Sequence, residues 1–289
     1  MKLFLTSSTR HFQRALTKSR HNLGQYDSYT FADGERGYRL KGEVKGRKVG
    51  IIASVLPHPD SLFELLSLFR LVRENGAREA KLVIPYLGYA RQDRPCNRGE
   101  GSIGIMVAKL IRNLNPTRLI LFDIHSEIIR KELSPETIEL SGLPLFASAL
   151  AKSSPDVIVS PDAGSVSRAK CLSELLNPRP EVARIDKVRP RPNVAIARRL
   201  HGDVNGKNVV IIDDMIDTGG TISEAVKLVF QSGASSIRVA ATHEIFSRDA
   251  RSRLSTLPVD AILVTNTLPQ VRSPKIRVLD ISPLILRTL

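Results

Sequence analysis

The sequence predicts an α/β protein with mainly parallel sheets flanked by helices, arranged as two domains. Three observations predict this. Short runs rich in Val and Ile alternate with helix-spaced patterns from end to end, the order that βαβ units produce. The runs are apolar at successive positions, as strands covered on both faces are. The chain is 289 residues long, enough to give each of two domains its own core.

In chain order, residues 49–55 read as a strand. Residues 60–74 carry apolar side chains at helical spacing, with Gly76 as the stop. Residues 81–87 form a strand, and a polar loop then runs to about Gly101. Residues 103–114 are helical and end at Asn115-Pro116, because a residue before proline avoids the α region. Residues 118–124 form the next strand. The pattern then restarts: strand 156–160, helix 166–176, strand 182–186, a Lys/Arg/Pro-rich stretch 187–192, strand 208–213, helix 222–232, and strands 236–242, 259–265 and 276–281. The boundary falls near Ser141-Gly142, giving domains of residues 1–140 and 141–289, and the final helix can pack back on the first.

A hydrophobic content of 42% with 25% charged residues is that of a soluble globular protein. The longest apolar runs are too short to cross a bilayer, and the N-terminus has no apolar region of signal-peptide length. A cytoplasmic location without membrane association is therefore expected. Cys96 and Cys171 have no metal or redox spacing and are expected to be free thiols. The formal charge of +14 comes from 43 basic against 29 acidic residues. The basic residues are dispersed, few aromatics are interleaved with them and Trp is absent. Nucleic acid is therefore not the expected partner; a positive cleft for polyanionic substrates is.

Residues 209–221 read Val-Val-Ile-Ile-Asp-Asp-Met-Ile-Asp-Thr-Gly-Gly-Thr. Four β-branched residues make a buried strand, and the carboxylates Asp213 and Asp214 stand at its expected end. Asp217, Thr218, Gly219, Gly220 and Thr221 then lead into a helix. A glycine-rich turn aims backbone N–H groups at one point, the threonines add hydroxyls, and the helix N-terminus adds positive partial charge. That is a phosphate cradle. The carboxylates suit sugar hydroxyls or magnesium, so the run fits a sugar phosphate.

This run resembles the phosphoribosyl-diphosphate-binding motif of type I phosphoribosyltransferases and ribose-phosphate diphosphokinases. Residues 84–94, Ile-Pro-Tyr-Leu-Gly-Tyr-Ala-Arg-Gln-Asp-Arg, resemble the diphosphokinase signature, which ordinary phosphoribosyltransferases lack. The resemblance spans nearly the whole chain, with the motifs in family order. It implies two phosphoribosyltransferase-like domains and transfer of the diphosphoryl group of ATP to the 1-hydroxyl of ribose 5-phosphate, releasing AMP.

Further residues follow from the resemblance. Asp213, Asp214 and the 217–221 turn would bind ribose 5-phosphate. His125 and Asp162 match the family's magnesium ligands, both at expected strand ends, where ligands of open α/β sheets bind. Residues 162–168 resemble its diphosphate-binding turn, with Ser165 where a second glycine is usual. Residues 185–193 resemble the flexible catalytic loop, in which Lys187 and Arg189 match the catalytic cations. Phe31, Asp33 and Glu35 resemble the adenine-contacting hairpin, and Arg91 and Gln92 the ATP-contacting pair. The resemblance also implies a homo-oligomer, a dimer or hexamer, with shared ATP sites. Residues 94–102 depart from the arginine-rich loop that binds allosteric phosphate in many members.

Gly99, Gly101 and Gly104 match the dinucleotide pattern G-x-G-x-x-G, but no strand leads into the first glycine, so the match is read as a decoy. Two other functions are compatible with the chain: a catalytically silent regulatory paralogue, and a phosphoribosyltransferase-fold RNA-binding regulator suggested only by the charge.

Overall fold

The computed structural model describes residues 1–19, 21–133, 136–188, 197–269 and 273–289, and of residues 187, 188, 197 and 198 the backbone. The chain divides into two compact units. One comprises residues 1–140 with 267–269 and 281–289; the other comprises 141–266 with the described part of 270–280.

The first unit contains β1 (Lys2–Leu5), α1 (Gln13–Lys18), β2 (Asn22–Leu23), β3 (Gln25–Thr30), β4 (Arg36–Lys41), β5 (Lys48–Ile52), α2 (Pro59–Glu74), β6 (Glu79–Ile84), α3 (Ile103–Asn113), β7 (Arg118–Phe122), α4 (Glu127–Glu132) and β8 (Thr137–Leu140). Among the described residues, β2-β1-β5-β6-β7-β8 form an all-parallel sheet. Val49, Ile51, Leu82, Ile84, Leu119 and Leu121 pack with Leu65, Leu68, Phe69 and Val72 of α2 and Val107, Ala108 and Ile111 of α3. The alternate strand positions Ile52, Val83, Ile120 and Phe122 are also buried. Burial on both faces is why these strands read as unbroken apolar runs.

β3 and β4 form an antiparallel hairpin outside that sheet. Its base is fastened by Glu64 of α2, which accepts 2.6 Å bonds from the Tyr26 hydroxyl and the Ser7 hydroxyl. Burial, then Glu64 itself, pushes the Tyr26 hydroxyl well above the usual tyrosine range.

The second unit contains α5 (Leu143–Leu150), β9 (Val157–Ser160), α6 (Val166–Glu174), β10 (Glu181–Val188), β11 (Ala197–His201), β12 (Asn208–Ile216), α7 (Gly220–Gln231), β13 (Ser236–Glu244), α8 (Ala250–Ser255), β14 (Ala261–Thr265) and β15 (Ile276–Leu279). Its sheet runs β11-β10-β9-β12-β13-β14-β15, parallel except for the edge strand β11. Val209 and Ile211 of β12 pack with Val226 and Val229 of α7 and Leu254 of α8. Val210 and Ile212 pack with Phe146 of α5 and Leu172 of α6. The period-two alternation of one strand thus feeds two cores.

The last helix, α9 (Ser282–Thr288), belongs to the first unit, where Ile281 and Ile285 are buried and Lys81 Nζ donates to the Leu289 carbonyl. β12 runs beyond the expected end at Asp213. Its ladder with β13 continues through Met215↔His243 and Ile216↔Glu244, so Asp213 and Asp214 lie within the strand rather than after it. The carboxylates interrupt the apolar run without interrupting the backbone pairing, which needs only N–H and C=O groups.

Candidate functional site

In the second unit the turn expected to cradle a phosphate, residues 217–221, lies where β12 gives way to α7. Gly219 is the N-cap residue of α7 at φ +73°, a left-handed conformation that suits glycine. The first intrahelical bond runs from Ser223 N–H to the Gly219 carbonyl at 2.8 Å. The N–H groups of the first turn precede it and lack intrahelical acceptors, as at any helix start. The Thr218 hydroxyl lies 3.5 Å from Gly220 N. Amides and hydroxyls of the 217–221 turn can therefore take phosphate oxygens.

Asp213 and Asp214 precede this turn on β12, and Ser165 brings the Asp162 turn to Asp213. Ser165 donates to Asp213 Oδ1 at 2.5 Å, and the Asp214 N–H donates to the same oxygen at 2.9 Å. Burial, then the neighbouring Asp214 carboxylate, holds the Asp213 carboxyl above the ordinary aspartate range, with the Ser165 bond opposing and Asp162 adding. Among the described residues no group of three or more His, Cys, Asp or Glu side chains gathers as a ready metal site; magnesium prefers oxygen donors and keeps several waters. Asp162 Oδ1 also accepts the Gly164 N–H at 2.9 Å, closing the turn before α6. Ser165 sits at φ −95°, so its backbone does not need the glycine usual there. Its hydroxyl instead ties the turn to the motif strand.

Sequence reasoning passed over the segment that braces the cradle, residues 245–254. The Ser247 hydroxyl donates to Asp217 Oδ1 at 2.5 Å and its N–H to the Asp217 carbonyl at 3.2 Å. A side chain on Gly219 would meet Leu254 of α8 at 3.4 Å. The readable signal was the Ser-Arg-Asp-Ala stretch at 247–250, a helix-start composition. Glu244, at the end of β13, is buried and pairs with Arg251 at 3.1 Å, while its Oε2 has no partner among the described residues. Burial pushes its carboxyl up to about 7 against the pull of Arg251. A carboxyl raised on folding binds more protons folded than unfolded, so stability falls as pH rises from about 4.5 to about 7. Glu244→Gln is expected to flatten that part of a melting-temperature profile, worth up to about 3 kcal/mol; an unchanged slope would contradict the assignment.

In the first unit Phe31, Asp33 and Glu35 lie at the hairpin tip. Phe31 is half exposed and meets Tyr29 edge-on at 5.1 Å. Asp33 Oδ1 accepts the Glu35 N–H at 3.0 Å and so shapes the turn. Arg91 and Gln92 are exposed in the loop after β6, and this loop is tied to the His125 turn. Ser126, the N-cap of α4, donates to Asp93 Oδ2 at 2.7 Å. Asp123, just before, is buried at φ +36°, a conformation that persists in non-glycine residues only where surroundings enforce it.

The glycine decoy has a packing reason. Gly104 N–H donates to the Gln92 carbonyl at 3.0 Å, and a Cβ on Gly104 would sit 2.6 Å from the Tyr89 carbonyl oxygen. The third glycine lets α3 approach the 89–92 loop. Gly104→Ala is expected to cost about 1–3 kcal/mol through the forced backbone shift. A melting temperature equal to that of the unaltered protein would contradict this.

Lys187 has its backbone on β10, paired with Arg198 of β11. Arg189 lies outside the described residues.

The chain matches known proteins along most of its length. The model of the N-terminal domain of ribose phosphate pyrophosphokinase matches residues 1–114, and that of the phosphoribosyl synthetase-associated domain matches 176–289. The ribose-phosphate pyrophosphokinase of Gloeobacter violaceus is 38% identical over 262 residues, covering 89% of this chain and 79% of that protein. That of Pasteurella multocida is 34% identical over 286 residues, covering 97% and 90%. The crystal structure of phosphoribosylpyrophosphate synthetase from Mycobacterium smegmatis superposes with a TM-score of 0.90 at 29% identity, over 99% of this chain and 96% of that one. With relatives at 34–38% identity matched along most of its length, the chain belongs to the ribose-phosphate pyrophosphokinase family.

Proposed function

We propose that this protein is a working ribose-phosphate diphosphokinase, moving the diphosphoryl group of ATP to the 1-hydroxyl of ribose 5-phosphate. The observation that carries the reading is the cradle at residues 217–221 with Asp213 and Asp214 beside it, in a chain of this family. The 1-hydroxyl oxygen attacks the β-phosphorus in line and its proton passes to solvent, the bond from that phosphorus to the α,β-bridging oxygen breaks, and AMP leaves with that oxygen. Such transfers rest on positioning and on stabilising charge.

The 5-phosphate sits on the amides and hydroxyls of Asp217, Thr218, Gly219, Gly220 and Thr221. Asp213 and Asp214 hold the ribose 2- and 3-hydroxyls. Phe31 stacks on adenine, with Asp33 or Glu35 accepting from its exocyclic amine, and Arg91 and Gln92 contact the nucleotide. His125 and Asp162 would hold a magnesium ion, whose chemistry is to neutralise the phosphate oxygens. Lys187 and Arg189 neutralise the migrating group and the leaving oxygen. A homo-oligomer, dimer or hexamer, with shared ATP sites and a cytoplasmic location complete the proposal.

Incubating the protein with magnesium, ATP and ribose 5-phosphate and separating nucleotides by ion exchange tests the reading. AMP is the expected product. ADP would indicate a simple kinase, and no product would favour the silent paralogue. Phe31→Ala is expected to raise KM for ATP roughly tenfold, the loss of one base–aromatic stack, with KM for ribose 5-phosphate unchanged. Equal weakening of both would remove Phe31 from the nucleotide site.

A further inference from the structure

The residues assigned to the 5-phosphate, 217–221, include no cation. A sugar phosphate near its second pKa carries between one and two negative charges, and here it would lie near Asp213, Asp214 and Asp217. Neutral amides and a helix dipole of about half a charge do not balance that. A cation stands beside the turn. Arg253 of α8 holds its guanidinium over Gly220, such that a Cβ on Gly220 would come within 3.5 Å of Arg253 Nη1.

Its placement is fixed from below. Ile245 and Phe246 N–H both donate to the Ile216 carbonyl at 3.0 Å, and Ser247 grips Asp217 through backbone and side chain. Phe246 and Arg248 adopt left-handed conformations, φ +48° and +52°, which proteins hold only where surrounding contacts enforce them. The tight loop they make starts α8 against the cradle. Helical geometry then separates the two arginines of α8, because residues two apart face different ways. Arg251 turns to buried Glu244 and lies 5.4 Å from the Phe246 ring. Arg253, next to Leu254 that packs on Gly219, turns to Gly220 and forms no ion pair among the described residues.

We infer that Arg253 binds the 5-phosphate of the sugar substrate and sets the preference for a phosphorylated over an unphosphorylated sugar. The inference rests on the assignment of the 217–221 turn to ribose 5-phosphate. A guanidinium offers planar paired donors that match phosphate oxygens. The role is in binding, since the reacting 1-hydroxyl lies at the far end of the sugar.

Arg253→Ala and Arg253→Lys test it in the full-length protein. For Arg253→Ala, KM for ribose 5-phosphate and its Kd by titration calorimetry are both expected to rise roughly tenfold, the low end for an exposed charged hydrogen bond. kcat, KM for ATP and the melting temperature are expected to stay put, and Arg253→Lys to recover part of the loss. Binding of unphosphorylated ribose is expected not to change. Unchanged ribose 5-phosphate affinity would overturn the inference, as would equal weakening of ribose 5-phosphate and ribose. If Arg253→Ala misfolds, Arg253→Gln replaces it with the same expectations. Should the unaltered protein release no AMP, the proposed activity fails, while the calorimetric comparison still decides the role of Arg253.

Discussion

Lys187→Ala is expected to lower kcat at least a hundredfold while leaving the Kd for ribose 5-phosphate within a small factor of its original value. Transition-state charge stabilisation by one preorganised donor is worth about 3 kcal/mol or more. Lys187 is assigned to charge that develops on the migrating group, not to ground-state sugar binding, so the loss falls on kcat. Its backbone sits near the end of β10, in register with Arg198 of the antiparallel edge strand β11. Those two strands lead into and out of the 189–196 segment. Steady-state kinetics with a separate binding titration checks the split. A fall of less than about tenfold in kcat would contradict the catalytic assignment, and a matching loss of sugar affinity would make Lys187 a binding residue.

Asp213→Asn is expected to move activity and stability in opposite directions. The carboxyl is buried, faces Asp214 and is held above its ordinary range by both effects. The ionised form therefore costs the folded state free energy at pH 8, in the absence of magnesium and substrate. The sign follows from linkage: with the folded-state pKa raised, stability is lost as pH rises through the interval between unfolded and folded values. Asparagine removes that cost and keeps an oxygen for the Ser165 hydroxyl and the Asp214 N–H. A gain of about 1 kcal/mol in stability is expected, of the kind found where a site holds like charges for function. kcat/KM for ribose 5-phosphate is expected to fall at least about a hundredfold, since the residue is proposed to hold a ribose hydroxyl near the reacting centre. A stability loss together with intact activity would place Asp213 in the scaffold and not the site.

Most strands buried on both faces were legible, but β1, whose Leu3 and Phe4 are fully buried, was too short a run to read. Val49 and Ile51 feed one core and Ile52 the opposite face, so nothing polar breaks the run. The first forty residues gave no comparable signal. The hairpin of β3 and β4 is largely exposed and polar, and its attachment depends on Glu64, distant in sequence. The end of β12 was misplaced for a related reason, since side-chain polarity marks burial and not backbone pairing. The turn at residues 217–221 was legible because glycine, threonine and aspartate act through local geometry. Its brace was not: left-handed Phe246 and Arg248 leave no mark in composition, and Ser247 reaches Asp217 across thirty residues of sequence. The return of residues 281–289 to the first unit was allowed for in the sequence, although local periodicity alone does not fix such a long-range event.

The fate of the β-phosphorus of ATP distinguishes diphosphoryl transfer from simple phosphorylation and from hydrolysis. ATP labelled at that atom, supplied with magnesium and ribose 5-phosphate, is expected to deliver the label to a diphosphate ester on the sugar C1, with unlabelled AMP released in equal amount. Label retained in ADP, or appearing only as orthophosphate, would contradict diphosphoryl transfer by this protein.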